Sequence, residues 1–273
     1  MSEAGLRELL ELLVGEGGGA EALLLVVGLL ARLLPLVWVT PIFGAKLIPR
    51  SARVVVGLAL AALCYPVAAA QAPPEGVSAL LLLGEVAVGL ALGFVASLVF
   101  HGAQAAGVAV DAARGASNSE VFLPQSGGRS SPMGSLYFQL AIVLFFALGG
   151  HRLFLSVVVG SYIMLPMGAL PPAEGLLPFT LFVARLTADV WVLAVAWAAP
   201  VLAATLLADI SLGWINRFVP QLNVFFLAMP LKALLGIAVV VLGASLLAAA
   251  LPESLAQGVA AVERSLELMS SRP

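Results

Sequence analysis

Charged residues are scarce in this chain. Only 10% of its 273 residues are charged and 62% are hydrophobic, whereas soluble domains are about 25% charged. The mean hydropathy is +1.10. This composition excludes an ordinary soluble domain, because too few polar side chains are present to cover a water-facing surface. It also excludes a disordered chain and a nucleic-acid-binding protein, since 13 basic residues stand against 15 acidic ones without a basic block.

Cysteine and histidine are nearly absent. One cysteine and two histidines exclude a disulfide framework and a Cys/His metal cluster. Cys64 lies in an apolar run and is interpreted as a small buried hydrophobe. Few acids flank His101 or His151 to orient an imidazole, which favours packing or interface roles. Phosphate-loop, zinc-protease and serine-hydrolase motifs are missing as well, so we expect no enzymatic activity, cofactor or metal.

Long apolar stretches fill most of the sequence. A membrane-spanning helix needs about 20 apolar residues, and the first two stretches fit one crossing each. Two others are too long for simple spans, and the fourth predicts a helical hairpin with arms 133–148 and 153–168. The stretches are 22–43, 54–70, 77–110, 133–170, 176–208 and 221–251.

Three regions are predicted along the chain. Residues 1–21 form a short amphipathic helix and a glycine joint, whose acidic character is unlike a signal peptide, so we expect the first apolar segment to be retained. Residues 22–252 form a single hydrophobic domain of helical hairpins kinked by prolines. Residues 253–273, after Pro252, form an amphipathic helix expected at the surface or against a partner. The predicted fold class is an all-α, multi-helix integral membrane protein.

Polar side chains recur inside the apolar stretches, where charge is costly and normally faces protein or a water-filled path. Arg185 and Asp189 are four residues apart and are predicted to pair, although the basic residue comes first, which is the weaker order. A polar helix face, expected to look at a partner or a pore, is formed with Asp111 by Ser97, His101 and Gln104.

Small residues mark the 77–110 helix. Gly89 and Gly93 form a GxxxG motif, which permits close helix packing in lipid. The motif is a weak signal, and two interpretations stay open: a face for a partner helix, or the general abundance of small residues in this chain.

The longest polar stretch runs from Asp111 to Ser131. It is rich in glycine, serine and asparagine, a composition typical of a loop that can fold onto more than one surface. Loops of this length in compact proteins tend to be functional or disordered. A functional loop and an ordinary solvent loop remain equally supported by composition alone.

Three sequence blocks resemble one family: the export-gate subunits called SctT in virulence type III secretion systems and FliR in flagella, with more likeness to SctT. The blocks begin at TPIFGAKLIPRSAR, GEVAVGLALGFVAS and DISLGWINRFVPQLN. The residues that carry the family signature and its packing are Pro41, Pro49, Arg53, Asn216, Arg217, Pro220, Gln221, Asn223 and Lys232.

The resemblance implies a non-enzymatic subunit of the export gate in the bacterial inner membrane, partly raised toward the periplasm. Its implied partners are SctR and SctS (FliP and FliQ type), the SctU switch protein (FlhB type), secreted unfolded polypeptides and membrane lipid, with no nucleic acid. In the family the loop after the long central helix closes the pore as a plug. Here the plug would contain Gly115, Ser117, Asn118, Phe122, Pro124, Gly127, Gly128, Ser131 and Pro132, anchored by Asp111 and Arg114.

The residues alone also allow two other functions. A secondary transporter with broken helices would bind ions or solute at Glu85, Arg185 and Asp189, but it predicts symmetric halves and the sequence shows no convincing internal repeat. A structural membrane subunit would differ from a gate only in that residues 115–131 would not line a conduit.

Overall fold

The computed structural model describes residues 19–44, 49–71, 79–115, 121–123, 128–169, 171–219, 221 and 223–270. The amphipathic helix predicted within residues 1–21 therefore lies almost wholly outside the described residues. The described part is built from helices and one small β-hairpin, which confirms the all-α class. Its elements are α1 Gly19–Val39, α2 Pro41–Gly44, α3 Arg50–Ala69, α4 Ala79–Ala113, β1 Val121–Leu123, β2 Gly128–Ser130, α5 Pro132–Ala147, α6 Gly150–Met164, α7 Ala173–Phe218 and α8 Val224–Ser270.

Five of these helices, α1, α3, α4, α7 and α8, are long and apolar enough to cross a membrane. The count within the described ranges reaches six if α5 and α6 together form one broken span. Helices α4, α7 and α8 have 35, 46 and 47 residues. Their contour lengths of about 50 to 70 Å exceed the roughly 30 Å of membrane hydrocarbon, so they continue beyond a simple span, as predicted for 77–110 and 176–208.

The fourth apolar stretch divides into two helices, but they are not antiparallel. Helix α5 ends at Ala147, a two-residue turn follows, and α6 begins at Gly150. Gly149 adopts the left-handed conformation with φ 75°, which glycine reaches without steric cost. The two helices are bent relative to each other by 77°. The predicted hairpin is thus a sharp bend, because a single left-handed residue redirects the chain without reversing it.

The boundary predicted at Pro252 is wrong, because Pro252 lies inside helix α8. The helix continues through Pro230 and Pro252 to Ser270. Proline removes one backbone hydrogen bond, but Leu251 and Leu255 on either side of Pro252 are both buried, and their packing offsets that loss. The apolar stripe of the C-terminal part, Val262, Leu266 and Met269, is also buried within this chain and is not a free docking face.

The described residues form two compact units. The first unit takes its residues from 1–97, 152–183 and 259–273, and the second from 98–151 and 184–258. In the first, α1 packs against α3, and the GxxxG glycines of α4 face α1. A Cβ at Gly89 would lie 2.0 Å from the Arg32 carbonyl oxygen, and one at Gly93 would lie 3.1 Å from Val39 Cβ. The motif is therefore used inside the chain.

The second unit has its own apolar core. Val110 of α4 packs with Ala198 and Val201 of α7, and all three are buried. Partly buried side chains of α5, α7 and α8 surround them: Met133, Leu202, Val239 and Val240. This core supports the α4–α5 junction, where the long polar stretch of the sequence lies.

Candidate functional site

The segment between α4 and α5 contains a β-hairpin that composition did not predict. Strands β1 and β2 pair antiparallel, with Val121 opposite Ser130, Phe122 opposite Arg129 and Leu123 opposite Gly128. Of the predicted plug residues, Phe122 and Gly128 belong to these strands. Ser117, Asn118, Pro124 and Gly127 lie outside the described residues. The hairpin ends directly before Ser131, so the loop is fixed to the helices at a defined place.

One buried carboxylate holds the base of this loop. Asp111 Oδ2 accepts hydrogen bonds from Ser131 Oγ at 2.5 Å and from the Met133 backbone N–H at 2.9 Å. Arg114 Nη1 donates to Asp111 Oδ1 at 3.2 Å. Both Asp111 and Arg114 are almost fully buried, where charge-assisted hydrogen bonds are at their strongest. We call Asp111, Arg114, Ser131 and Met133 the loop clasp; the role of Asp111 and Arg114 as a plug anchor stays a prediction.

Helix caps fix the two ends of the loop. Helix α4 ends at Ala113. Gly115, two residues later, is left-handed with φ 74°, a conformation that closes a helix end and that glycine adopts with no Cβ penalty. Ser131 is the N-cap of α5: its Oγ accepts from the Gly134 N–H at 2.9 Å, and Pro132 occupies the first helical turn. The Ser-Pro pair is a helix-start signal that is readable in the sequence.

Helices α4 and α5 approach very closely beside the clasp. A Cβ on Gly107 would lie 2.3 Å from the Met133 carbonyl oxygen. One on Gly134 would lie 2.9 Å from Val108 Cγ2 and 3.2 Å from the Gln104 carbonyl oxygen. Two glycines thus bring the α5 N-terminus within reach of Asp111, which larger residues at these positions would prevent.

The predicted polar face of α4 is not one continuous surface. Ser97 is buried, and its Oγ donates to the Phe94 carbonyl of its own helix at 2.7 Å. His101 is exposed and lies edge-on to Phe138 with ring centroids 6.2 Å apart, while Gln104 is half-buried. Both carboxylate oxygens of Asp111 accept hydrogen bonds within the loop clasp. These residues lie on the same side of α4, but their side chains are not equally exposed, because different neighbours cover each turn of the helix.

Most of the described signature residues lie at or near helix ends. Pro41 begins α2, Pro49 is the N-cap of α3, and the backbone N–H of half-buried Arg53 donates to the Pro49 carbonyl. Asn216 and Arg217 are exposed in the last turn of α7. Gln221 and Asn223 are exposed between α7 and α8, and Pro220 lies outside the described residues. Most of this signature therefore shapes the breaks between helices.

One signature residue connects two helices. Lys232 Nζ of α8 donates to Asp209 Oδ2 of α7 at 2.8 Å. The Asp209 side chain is 50% exposed, and its exposed neighbours Leu206, Leu207 and Ile210 are apolar. A charged pair in an apolar membrane-helix surface favours contact with protein over contact with lipid.

The predicted pair between Arg185 and Asp189 is not present. Both side chains are exposed on α7, and the ion pairs among the described residues do not join them. The basic-first order is weak, and exposed pairs gain little after side-chain entropy is lost. In the transporter alternative, these residues thus supply no paired site.

The first unit contains a buried ion pair between Arg32 and Glu85. The sequence marks both residues as polar groups in apolar stretches but does not indicate that they pair. Arg32 Nε and Nη2 donate to the two carboxylate oxygens of Glu85 at 2.6 and 3.1 Å. The side chains are 0% and 2% exposed. Arg32 also donates to the Ser161 carbonyl at 3.1 Å and the Leu165 carbonyl at 3.0 Å. The partners are 53 to 133 residues from Arg32, so no local spacing could identify them.

The rest of this cluster completes the hydrogen bonding. The Gly168 N–H donates to Glu85 Oε1 at 3.0 Å, and Arg32 Nη1 lies 3.3 Å from Ser161 Oγ. The Arg32 guanidinium stands 4.3 Å from the centre of the Tyr162 ring, a cation–π contact. The cluster ties α1, α4, α6 and the turn after α6 together. Glu85 is thereby fully engaged and does not offer the free carboxylate that a solute-binding site needs.

Comparison with known proteins gives consistent matches. The model of the family described as bacterial export proteins, family 1, matches residues 23–258. Yop proteins translocation protein T of Yersinia pestis is 37% identical over 177 residues, 64% of this chain and 67% of that protein. Flagellar biosynthetic protein FliR of Bacillus subtilis is 31% identical over 196 residues, 70% and 75% of the two chains. Surface presentation of antigens protein SpaR of Salmonella typhimurium is 31% identical over 215 residues, 78% and 79%.

Proposed function

The chain belongs to family 1 of the bacterial export proteins, and on that premise we propose that it is a type III secretion export-gate subunit whose loop at 115–131 closes the pore. Membership confirms the family resemblance of the three sequence blocks. It makes the chain a multi-pass membrane component of a protein-export apparatus and not an enzyme. The finer statements about pore closure, partners and membrane placement form the proposal.

The clasped loop is the observation that carries the proposal. A β-hairpin in a glycine- and serine-rich segment makes little core of its own, so it can move at small cost in packing. The clasp at Asp111 and Ser131 gives it a fixed base on two closely packed helices. A small element with little core of its own, attached to a rigid base, is the arrangement that a plug requires.

The proposed partners are SctR- and SctS-type subunits, with SctU as a further contact. Large apolar side chains cover α7 and the N-terminal half of α8 and are widely exposed, among them Trp191, Trp214, Phe218, Phe226 and Leu242. Exposed apolar surface on this scale marks an interaction surface or a lipid-facing one. The Lys232–Asp209 pair within it favours helices of sister subunits over lipid alone.

We place the assembled protein in the bacterial inner membrane, with part of it raised toward the periplasm. Helices α4, α7 and α8 exceed the hydrocarbon thickness. Backbone breaks and charged pairs at membrane depth are tolerated where protein surrounds them. Both features are expected of a chain that packs among sister subunits above the bilayer.

Native mass spectrometry of the detergent-extracted protein tests the assembly. We expect the chain co-expressed with SctR and SctS subunits from the same bacterium to appear in one defined hetero-complex, because its exposed apolar surface needs those helices. The matched control is the chain expressed alone, which should give no complex of that mass. A stable monomer or homodimer that ignores both subunits would contradict the proposal.

A further inference from the structure

Arg114 joins the loop clasp to a second helix. It is the first residue after α4 and is 9% exposed. Its Nη1 donates to Asp111 Oδ1 at 3.2 Å, while its aliphatic stem lies on α8 at Gly236. Nε has no acceptor among the described residues. The position of this side chain is therefore set by one ion pair and by the packing of its stem.

Gly236 provides the space for that stem. A Cβ at position 236 would lie 2.3 Å from Arg114 Cγ and 2.4 Å from Arg114 Cδ. These atoms are in the middle of the side chain, so a methyl group at 236 would displace the whole stem and not only its tip. The guanidinium could then not keep its place at Asp111. The aliphatic stem of Arg114 thus fills the space that the missing side chain of Gly236 leaves on α8.

We propose that the Gly236–Arg114 contact is a latch that couples α8 to the closing loop. The inference rests on the proposed function of residues 115–131 as a plug. A displacement of α8 at Gly236 withdraws the support of the Arg114 stem and weakens its bond to Asp111. Asp111 in turn holds Ser131 and Met133, so the displacement reaches the N-terminus of α5 through a single carboxylate. The latch regulates the loop from a helix that does not itself contribute to it.

The test compares ion leakage through assembled export complexes in proteoliposomes. Gly236→Ala is expected to raise leakage at least about fivefold, the lower end of ordinary coupling between sites. Gly243→Ala is the matched control, since it lies on the same helix and a Cβ there meets nothing within 4 Å. Arg114→Ala removes the same contact from the other side and should also raise leakage. Adding Gly236→Ala to Arg114→Ala should have no further effect, because the clash partner is gone.

A second readout separates failure of the latch from failure of the plug. It is the rate at which maleimide modifies the thiol of the variant Gln125→Cys; the native Cys64 is fully buried and does not compete. A complex shortened between residues 117 and 130 serves as the open reference for leakage. If the shortened complex leaks and Gly236→Ala neither leaks nor reacts faster than Gly243→Ala, the latch is overturned and the plug stands. If the shortened complex stays tight but Gly236→Ala reacts faster at position 125, the latch is supported and the plug is overturned. If the shortened complex stays tight and Gly236→Ala changes neither the leakage nor the maleimide reaction rate, the latch and the plug are both overturned.

Discussion

Replacing Arg32 with leucine is expected to destabilise the first unit by about 3 to 5 kcal/mol, the usual cost of removing one partner from a buried ion pair. Glu85 would keep its carboxylate at 2% exposure, with only the Gly168 N–H still donating to it. The Ser161 and Leu165 carbonyls would each lose a donor as well. The measurement is the unfolding midpoint of the purified protein in a mild detergent, followed by circular dichroism as denaturant is added.

Two further variants show whether the unpaired charge is the cause. Replacing Arg32 and Glu85 together with methionine should recover at least about 1.5 kcal/mol of the loss, because no buried charge is left alone. Arg185→Leu, at an exposed arginine of α7, should stay within about 0.5 kcal/mol of the native protein. Equal destabilisation by the single and the double replacement would contradict the interpretation of Arg32 and Glu85 as one unit.

Shortening the loop between Ser117 and Ser130 is expected to make the assembled gate leak ions about 10- to 1,000-fold faster. The physical reason is that a closed state with a minor open population of about 0.1 to 10% becomes permanently open when the closing element is removed. Depolarisation of the membrane in cells that produce the complex, read with a voltage-sensitive dye, measures the effect.

The shortened variant must still assemble for this result to bear on the plug. The clasp partners Asp111, Ser131 and Met133 are retained in the deletion, so native mass spectrometry should find the same hetero-complex. Gly243→Ala, which keeps the loop at full length and adds a Cβ that meets nothing within 4 Å, is the matched control and should stay tight. An assembled, shortened gate that holds its potential would contradict the closing role.

The fold class and most helices could be predicted from the sequence because apolar length is a direct signal of membrane-compatible helices. The helix that begins at Pro132 and the turn near Gly149 follow from local chemistry, since proline and glycine punctuate the chain. The continuation of α8 through Pro252 could not be predicted in the same way. Local sequence favours a break at a proline, whereas burial of Leu251 and Leu255 is a tertiary effect that outweighs it.

The candidate site was only partly readable. Asp111 and Arg114 were recognisable as neighbours because they are three positions apart in a helical pattern. The convergence of Ser131 and Met133 on Asp111, and of Gly236 on Arg114, depends on how α5 and α8 pack against α4. The pairing of Arg32 with Glu85 is hidden for the same reason. Conversely, the four-residue spacing of Arg185 and Asp189 predicted an ion pair that does not form, because an ion pair between two exposed side chains gains too little free energy.

If residues 115–131 close the pore, they lie in the path of the exported polypeptide and must meet it during export. This contact is tested most directly by placing a photo-reactive amino acid at position 118 in the assembled complex and arresting a secreted polypeptide in mid-export. We expect a crosslink between position 118 and the arrested polypeptide that disappears when no polypeptide is arrested. A polypeptide that is arrested in the complex but never crosslinks to the loop would contradict it.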